Sequence, residues 1–168
     1  MMVHILGLML LWVHLFAGII WIGHNYANVV QRPGFRALRP EDLGDEQSPT
    51  YMALLGREHG TFRYAAIVTW LAGVGMLWQR GMLFDAVTLR GYPAIIGTGF
   101  WIGTLMLLNL WLVLWPHQKK VLGFVSAPLE ERVRSARITF LSARVNTMLS
   151  MPLLFFMAAS QHGIALFA

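Results

Sequence analysis

Histidine and arginine side chains within long apolar runs are the residues of this 168-residue sequence that could carry chemistry. His14 and His24 lie in the first apolar run, and His59 opens the second. Arg63 lies one turn further along the second run, and Arg144 lies near the start of the fourth. A polar or charged side chain at membrane depth is costly, which makes it a candidate for a functional site. These five residues are the predicted cofactor-binding set, and the three histidines are the predicted metal ligands.

The depth of the histidines suggests which of them could share one metal. At a rise of about 1.5 Å per helical residue, His24 lies about 15 Å nearer one membrane face than His14. His59, at the start of the next and antiparallel segment, is expected at the level of His24. Two imidazoles at one depth could bind a haem iron from both faces, and Arg63 and Arg144 could pair with its propionates. The competing interpretation is that His24 and His59 only hydrogen-bond to backbone or to each other.

The absence of cysteine limits the kind of cofactor that this chain could hold. Disulfides, iron–sulfur clusters, zinc–thiolate sites and covalent haem attachment all require cysteine. The predicted cofactor is therefore a haem b, held without a thioether bond.

A polar stripe follows one face of the first segment at the spacing of an α-helix, about 100° per residue. Its members are His14, Gly18, Trp21, Asn25 and Asn28. A face of this composition is expected to meet protein or a cofactor rather than lipid. No histidine of another segment shares the depth of His14, so its iron would be five-coordinate or would take a methionine. The candidates are Met106, Met151 and Met157. The alternative role for His14 is an interhelical hydrogen bond, worth about 0.6 kcal/mol on average in membranes.

Membrane helices must position these side chains. Hydrophobic residues make up 57% of the chain and charged residues 12%, whereas a soluble domain carries about 25% charged residues. A helix needs about 20 apolar residues to span a bilayer. Four segments qualify, at about 4–30, 59–78, 93–115 and 140–161. The predicted fold class is all-α: a polytopic membrane protein whose residues 1–168 form a single transmembrane domain, a four-helix bundle.

Prolines and glycines refine this prediction. Pro116 is expected to end the third helix, and Pro152 to kink the fourth from within. The charged stretch within 117–136 is expected to extend the fourth helix beyond the membrane. Gly99 and Gly103 form a GxxxG pattern, which permits close helix packing.

Basic residues predict the orientation in the membrane. The first and third connections hold nine of them, namely Arg32, Arg36, Arg39, Arg57, Lys119, Lys120, Arg132, Arg134 and Arg137. The second connection holds only Arg80 and Arg90. Because positive loops stay in the cytoplasm, both termini are predicted to be periplasmic. The formal net charge of +5 is explained by basic residues in cytoplasmic loops, which lie near anionic lipid headgroups. No nucleic-acid partner is therefore expected.

Four stretches of the sequence resemble a known family. They are WVHLFAGIIWIGHNYANVVQRPGF (12–35), REHGTFRYAAIVTWLAG (57–73), GTLMLLNLWLVLWPHQKKVLG (103–123) and SARVNTMLSMPLLFFMAAS (142–160). Together they resemble the N-terminal membrane domain of bacterial membrane-bound urate oxidases. The first stretch is more distantly similar to haem-binding four-helix proteins of the HemJ protoporphyrinogen oxidase and CopD types. The resemblance to that wider group implies that His14 is a haem ligand.

The urate oxidases that this chain resembles continue into a cytochrome c domain, for which this sequence has no cysteine. A membrane-protein or cytochrome partner is therefore expected to supply or accept electrons. The leading prediction is a haem b redox module of the bacterial inner membrane that works with such a partner, with quinone as a possible electron carrier. One alternative is a non-enzymatic accessory subunit of a respiratory or photosynthetic complex. Another is a stand-alone oxidase of a purine or tetrapyrrole, so enzymatic activity stays open.

Overall fold

The fold is known from a computed structural model that describes residues 2–31, 38–44 and 60–162. All regular structure in these ranges is helical. The helices are α1 (Met2–Val29), α2 (Pro40–Gly44), α3 (Thr61–Gln79), α4 (Leu83–Val87), α5 (Ala94–Val121) and α6 (Leu129–Ala159). The all-α class is confirmed, and each of the four predicted apolar segments corresponds to one long helix.

Three of these helices, α1, α5 and α6, are long and apolar enough to cross a membrane. Only 11% of the most apolar stretch of α1 is buried inside the protein, and Ile19 on its outer face is 66% exposed. Exposed apolar surface of this extent needs an apolar solvent. The shorter α3 has 19 residues, about 28 Å of helix, and carries Arg63 near its start.

The four long helices form a closed ring. α1 packs along α3, α3 contacts α5, α5 packs along α6, and α6 returns to α1. One apolar core lies between them, to which every helix of the ring contributes buried side chains. They are Ala17, Trp21, Phe62, Ala65, Ala66, Met106, Leu110, Leu114 and Leu153. Alanines on α3 allow its backbone to approach its neighbours closely.

Pro116 does not end the third helix, contrary to the sequence prediction. The helix continues to Val121, and the six residues before Trp115, Asn109–Leu114, are π-helical. A proline ring clashes with the carbonyl of the residue four positions earlier in a regular α-helix. The wider π-helical turn just before Pro116 relaxes that crowding and lets the chain continue as helix.

Polar side chains join α5 to α6 where the π-helical stretch begins. The Asn109 amide donates to Asn146 Oδ1 at 2.8 Å and to the Ser142 carbonyl at 3.1 Å, and Ser142 Oγ donates back to Asn109 Oδ1 at 2.9 Å. Asn146 in turn donates to the Met106 carbonyl at 3.1 Å and is 1% exposed. Each polar group in this cluster is satisfied across the interface, which fixes the relative register of the two helices.

The fourth helix starts well before the predicted membrane entry at residue 140. α6 begins at Leu129, so the charged turn at Glu130 and Glu131 belongs to the same helix, as the extension predicted for this stretch requires. Lys120 at the end of α5 pairs with Glu131 at 2.5 Å and ties the two helices outside the apolar zone. Pro152 lies inside α6.

A short helix that the sequence did not predict, α4, lies in the connection between α3 and α5. It packs on α5 at Gly97, where an added side-chain carbon would come within 2.0 Å of the Ala86 carbonyl oxygen. The Trp101 indole donates to the Val87 carbonyl at 3.0 Å and fastens the same, C-terminal end of α4 to α5. Only glycine fits at position 97, so this residue sets how closely α4 approaches.

Candidate functional site

A cavity of about 720 Å³ lies within the ring of four long helices. Its lining extends along α1 from Leu11 to Tyr26, which corresponds to about 22 Å of helix. Most of the lining is apolar, and Leu15, Ile19 and Leu154 both line it and are exposed on the outer surface. The cavity therefore opens sideways, between α1 and α6, towards the expected lipid.

His14 brings a side chain that can bind a metal into this cavity. Its Nδ1 lies 2.8 Å from the Thr69 carbonyl oxygen on α3. A carbonyl can only accept a hydrogen bond, so Nδ1 carries the proton and Nε2 keeps the lone pair that could bind a metal. Histidines that bind metals commonly donate their other ring N–H in this way, because the bond fixes the tautomer and the ring orientation.

Glycines bring the helix backbones close to the cavity. A side-chain carbon at Gly73 would lie 3.1 Å from His14 Cε1, so the imidazole rests directly on the α3 backbone. At Gly99 the same carbon would lie 3.1 Å from Met157 Cε. By contrast, Gly23 lines the cavity with nothing within 4 Å. The site is thus shaped by missing side chains on three helices.

The polar side chains of the cavity other than those of His14, Thr69 and Trp70 lie at its two ends. Arg80 and Gln161 line the end nearer the N-terminus of α1, and Trp21 and Tyr26 line the end nearer its C-terminus. Arg80 is the one permanently charged side chain among the described residues of the lining. Between the ends, Trp70 lines the wall and donates its indole N–H to Thr104 Oγ1 at 2.9 Å.

His24 is not among the residues that line this cavity and lies near the C-terminal end of α1. Its ring stacks on Phe62 with 4.0 Å between centroids. The Asn28 amide lies 3.0 Å from His24 Nε2 and donates to it, which engages the lone pair that a metal would need there. His59, its predicted partner, lies outside the described residues, so the pairing of these two histidines stays a prediction.

The predicted propionate partners, Arg63 and Arg144, are absent from the described lining of the cavity. Arg63 is 8% exposed, and its guanidinium lies 3.4 Å from the centroid of the Trp115 ring. The Arg63 guanidinium also lies 5.7 Å from the centroid of the Phe62 ring, on which the His24 ring stacks. Arg144 is exposed on α6, with its guanidinium 4.3 Å from the centroid of the Phe140 ring.

Of the three methionines considered as partners for His14, only Met157 lines the cavity. Met106 is completely buried in the core, and Met151 is 58% exposed. Met157 belongs to α6, whereas His14 is bonded to α3. A second methionine, Met76, lines the cavity from α3 itself.

In the described ranges no three histidine, cysteine, aspartate or glutamate residues gather into a group that could hold a bare metal ion. A haem iron is already held by its porphyrin and needs only one or two axial ligands from the protein. The donor set therefore fits a porphyrin-bound iron better than a free cation.

Sequence reasoning missed Arg80, Gln161 and Trp70 as parts of the site. A partial signal exists on α3, where Thr69, Gly73 and Met76 follow one helical face. That face could have been recognised as the partner of the His14 stripe. Arg80 and Gln161 follow the ends of their helices, where the spacing of helical faces no longer applies.

Comparisons of the chain with family models, with curated proteins and with solved structures gave no match in any of the three. The resemblance to the membrane domain of urate oxidases therefore stays a prediction that rests on the quoted motifs.

Proposed function

We propose that this chain is a haem b-binding redox module of a bacterial inner membrane and that His14 is its axial ligand. The single observation that carries the proposal is the bond from His14 Nδ1 to the Thr69 carbonyl at 2.8 Å, in a ring that lines a 720 Å³ cavity. This bond leaves Nε2 as the coordinating nitrogen. The cavity volume falls within the range of about 300–1,000 Å³ that is typical of cofactor and ligand sites.

The membrane setting of the proposal is a bundle of four spans. α3 crosses together with α1, α5 and α6, because it closes the ring and shares their core. Its Arg63 lies in the first turn of the helix, and the guanidinium lies over the Trp115 ring. Both features reduce the cost of a charge in the membrane. With basic residues concentrated in the first and third connections, both termini lie in the periplasm.

The residues around His14 divide the work of holding the cofactor. His14 would hold the iron, and Arg80 with Gln161 would bind the carboxylates at the end of the cavity nearer the N-terminus of α1. Arg80 takes the role that the sequence assigned to Arg63 and Arg144, because it is the cation in the lining. Met157 would be the second residue able to hold the iron, since it lines the same cavity from α6.

When bound, a haem b supplies a one-electron carrier. The protein residues exclude water from it, fix its orientation and neutralise its carboxylates. The described lining of the site carries no carboxylate, serine or cysteine side chain. The partner is a membrane protein or a cytochrome, with quinone as the lipid-soluble carrier.

The experiment that tests the proposal is an optical spectrum of the purified protein, oxidised and dithionite-reduced. We expect a b-type α-band in the wild type, its loss or a change of spin state in His14→Ala, and an unchanged spectrum in His24→Ala. Met157→Leu is expected to alter the spectrum, and Met76→Leu is its matched control within the same cavity.

Two results would overturn the assignment. If the wild-type protein contains no haem, the accessory-subunit interpretation is favoured instead, in which His14 only forms an interhelical hydrogen bond. A haem that is lost in His24→Ala or His59→Ala but kept in His14→Ala would move the site to the cytoplasmic layer. Urate- or protoporphyrinogen-dependent oxygen consumption by the isolated protein would instead favour the stand-alone oxidase.

A further inference from the structure

The inner end of the cavity, nearer the C-terminus of α1, contains a buried hydrogen-bond donor that has no acceptor among the described residues. Trp21 lines this end and is 2% exposed, and its indole N–H has no partner among the described residues. One turn further along α1, the amide nitrogen of Asn25, 6% exposed, is also unpartnered within these ranges. Nearly all buried polar groups in proteins are satisfied by protein, water or a ligand. The unpaired Trp21 donor therefore points to an acceptor on a bound molecule.

The haem site proposed above leaves this end of the cavity free. Trp21 lies seven residues after His14, about 10 Å further along α1, while Arg80 and Gln161 lie at the opposite end. A haem held by His14 would have its iron at the level of that residue and its carboxylate edge at Arg80, so that only its opposite edge would approach Trp21. The lining that continues to Tyr26 is thus available to a second ligand.

The chemistry of this end selects the ligand. Its described lining carries no charged side chain, since Arg80 lies at the other end. A charged headgroup would be buried there without a counter-ion, which is strongly unfavourable. The aromatic faces of Trp21 and Tyr26 suit a flat, neutral ring that bears an acceptor oxygen. The exposed lining residues Ile19 and Leu154 give it a path from the lipid.

We infer that the inner end of the cavity binds a quinone, with one carbonyl oxygen accepting the hydrogen bond of Trp21 Nε1. This inference deepens the proposed function by naming the lipid-soluble electron carrier and its site. Binding itself depends on Trp21 and the apolar walls and does not require the haem, so the two proposals can fail separately.

The direct test observes the indole N–H groups by NMR. The chain has seven tryptophans, so ¹⁵N-labelled tryptophan gives seven indole signals, and Trp21→Phe identifies that of Trp21 by its loss. Decylubiquinone is titrated into the detergent-solubilised protein, both as purified and as the His14→Ala variant. We expect the Trp21 signal to move downfield, as a new hydrogen bond requires, in both samples.

Trp70 provides the matched control, because it lines the same cavity but already donates to Thr104. Its indole signal should move less than that of Trp21. In a binding titration, Trp21→Phe should weaken the affinity for decylubiquinone about fivefold, the change that loss of one hydrogen bond produces. Trp70→Phe should weaken it less.

The outcomes separate the possible ligands and the two proposals. A stationary Trp21 signal, or equal shifts of all seven signals, overturns the quinone site and leaves the haem assignment intact. If monoolein, a neutral lipid with an ester carbonyl, produces the same Trp21 shift and displaces the quinone, the site belongs to lipid and the inference is wrong. A Trp21-specific shift in a protein that binds no haem supports the quinone site and overturns the proposed haem.

Discussion

Replacement of Gly97 by alanine tests the packing that holds α4 against α5. The added carbon would lie 2.0 Å from the Ala86 carbonyl oxygen, 2.8 Å from its carbonyl carbon and 3.0 Å from its Cα. An ordinary contact begins at 3.4 Å, so α4 must move by 3.4 − 2.0, about 1.4 Å. The obstacle is backbone, and no change of side-chain rotamer can relieve it.

The size of the effect follows from two opposing contributions. Overpacking in a tight interface costs about 1–3 kcal/mol, and alanine is favoured over glycine in a helix by about 1 kcal/mol. The expected net loss is up to about 2 kcal/mol of unfolding free energy. For a chain of this size, each 1 kcal/mol lowers the thermal midpoint by about 2–4 °C. Gly97→Ala should therefore lower the midpoint by up to about 8 °C.

The assay is thermal unfolding of the purified protein in detergent, followed by the fraction that stays monodisperse after heating. Gly23→Ala is the control, because a carbon added there meets nothing within 4 Å and alanine is the better helix former. Its midpoint should equal or exceed that of the wild type. If Gly97→Ala is as stable as Gly23→Ala, the conclusion that α4 packs closely against α5 at Gly97 is refuted.

Three further predictions concern the site and its orientation. Gly73→Ala places a carbon 3.1 Å from His14 Cε1 and should shift the haem spectrum by displacing the imidazole, whereas Gly23→Ala should leave it unchanged; identical spectra would argue against His14 as the ligand. Arg80→Gln should weaken haem retention about fivefold, the effect of losing about 1 kcal/mol from a partly exposed ion pair, and Arg90→Gln, which removes a charge on the same side but outside the cavity lining, should not. A phosphatase fused to the C-terminus should be active and a fluorescent protein fused there dark, since both termini are predicted to be periplasmic; the reverse pattern would contradict the topology.

Patterns within the sequence were enough to predict the helical elements and much of the local character of the site. Apolar runs predicted all four long helices, because continuous apolar stretches of this length are stable as helices in lipid. The stripe that contains His14 and Trp21 was visible from spacing alone, and both residues line the cavity.

The sequence was misleading where neighbouring residues changed the local backbone. Pro116 suggested a helix end, but the π-helical turn before it absorbs the proline and α5 continues to Val121. The sequence also did not predict α4, because its five residues are too few to show a helical periodicity. Its position depends on the absence of a side chain at Gly97, a residue of another helix.

Which side chains meet one another depends on how the helices pack. Helical spacing reports the face of one helix, but the depth and rotation of its neighbours are set by packing between them. The ring of helices brings the Thr69 carbonyl to His14 and Gly73 beneath its imidazole. It also puts Arg80 in the lining of the cavity, while Arg63 lies over Trp115. Charge and depth estimated from the sequence could not distinguish these two arginines, because their difference arises from contacts with other helices.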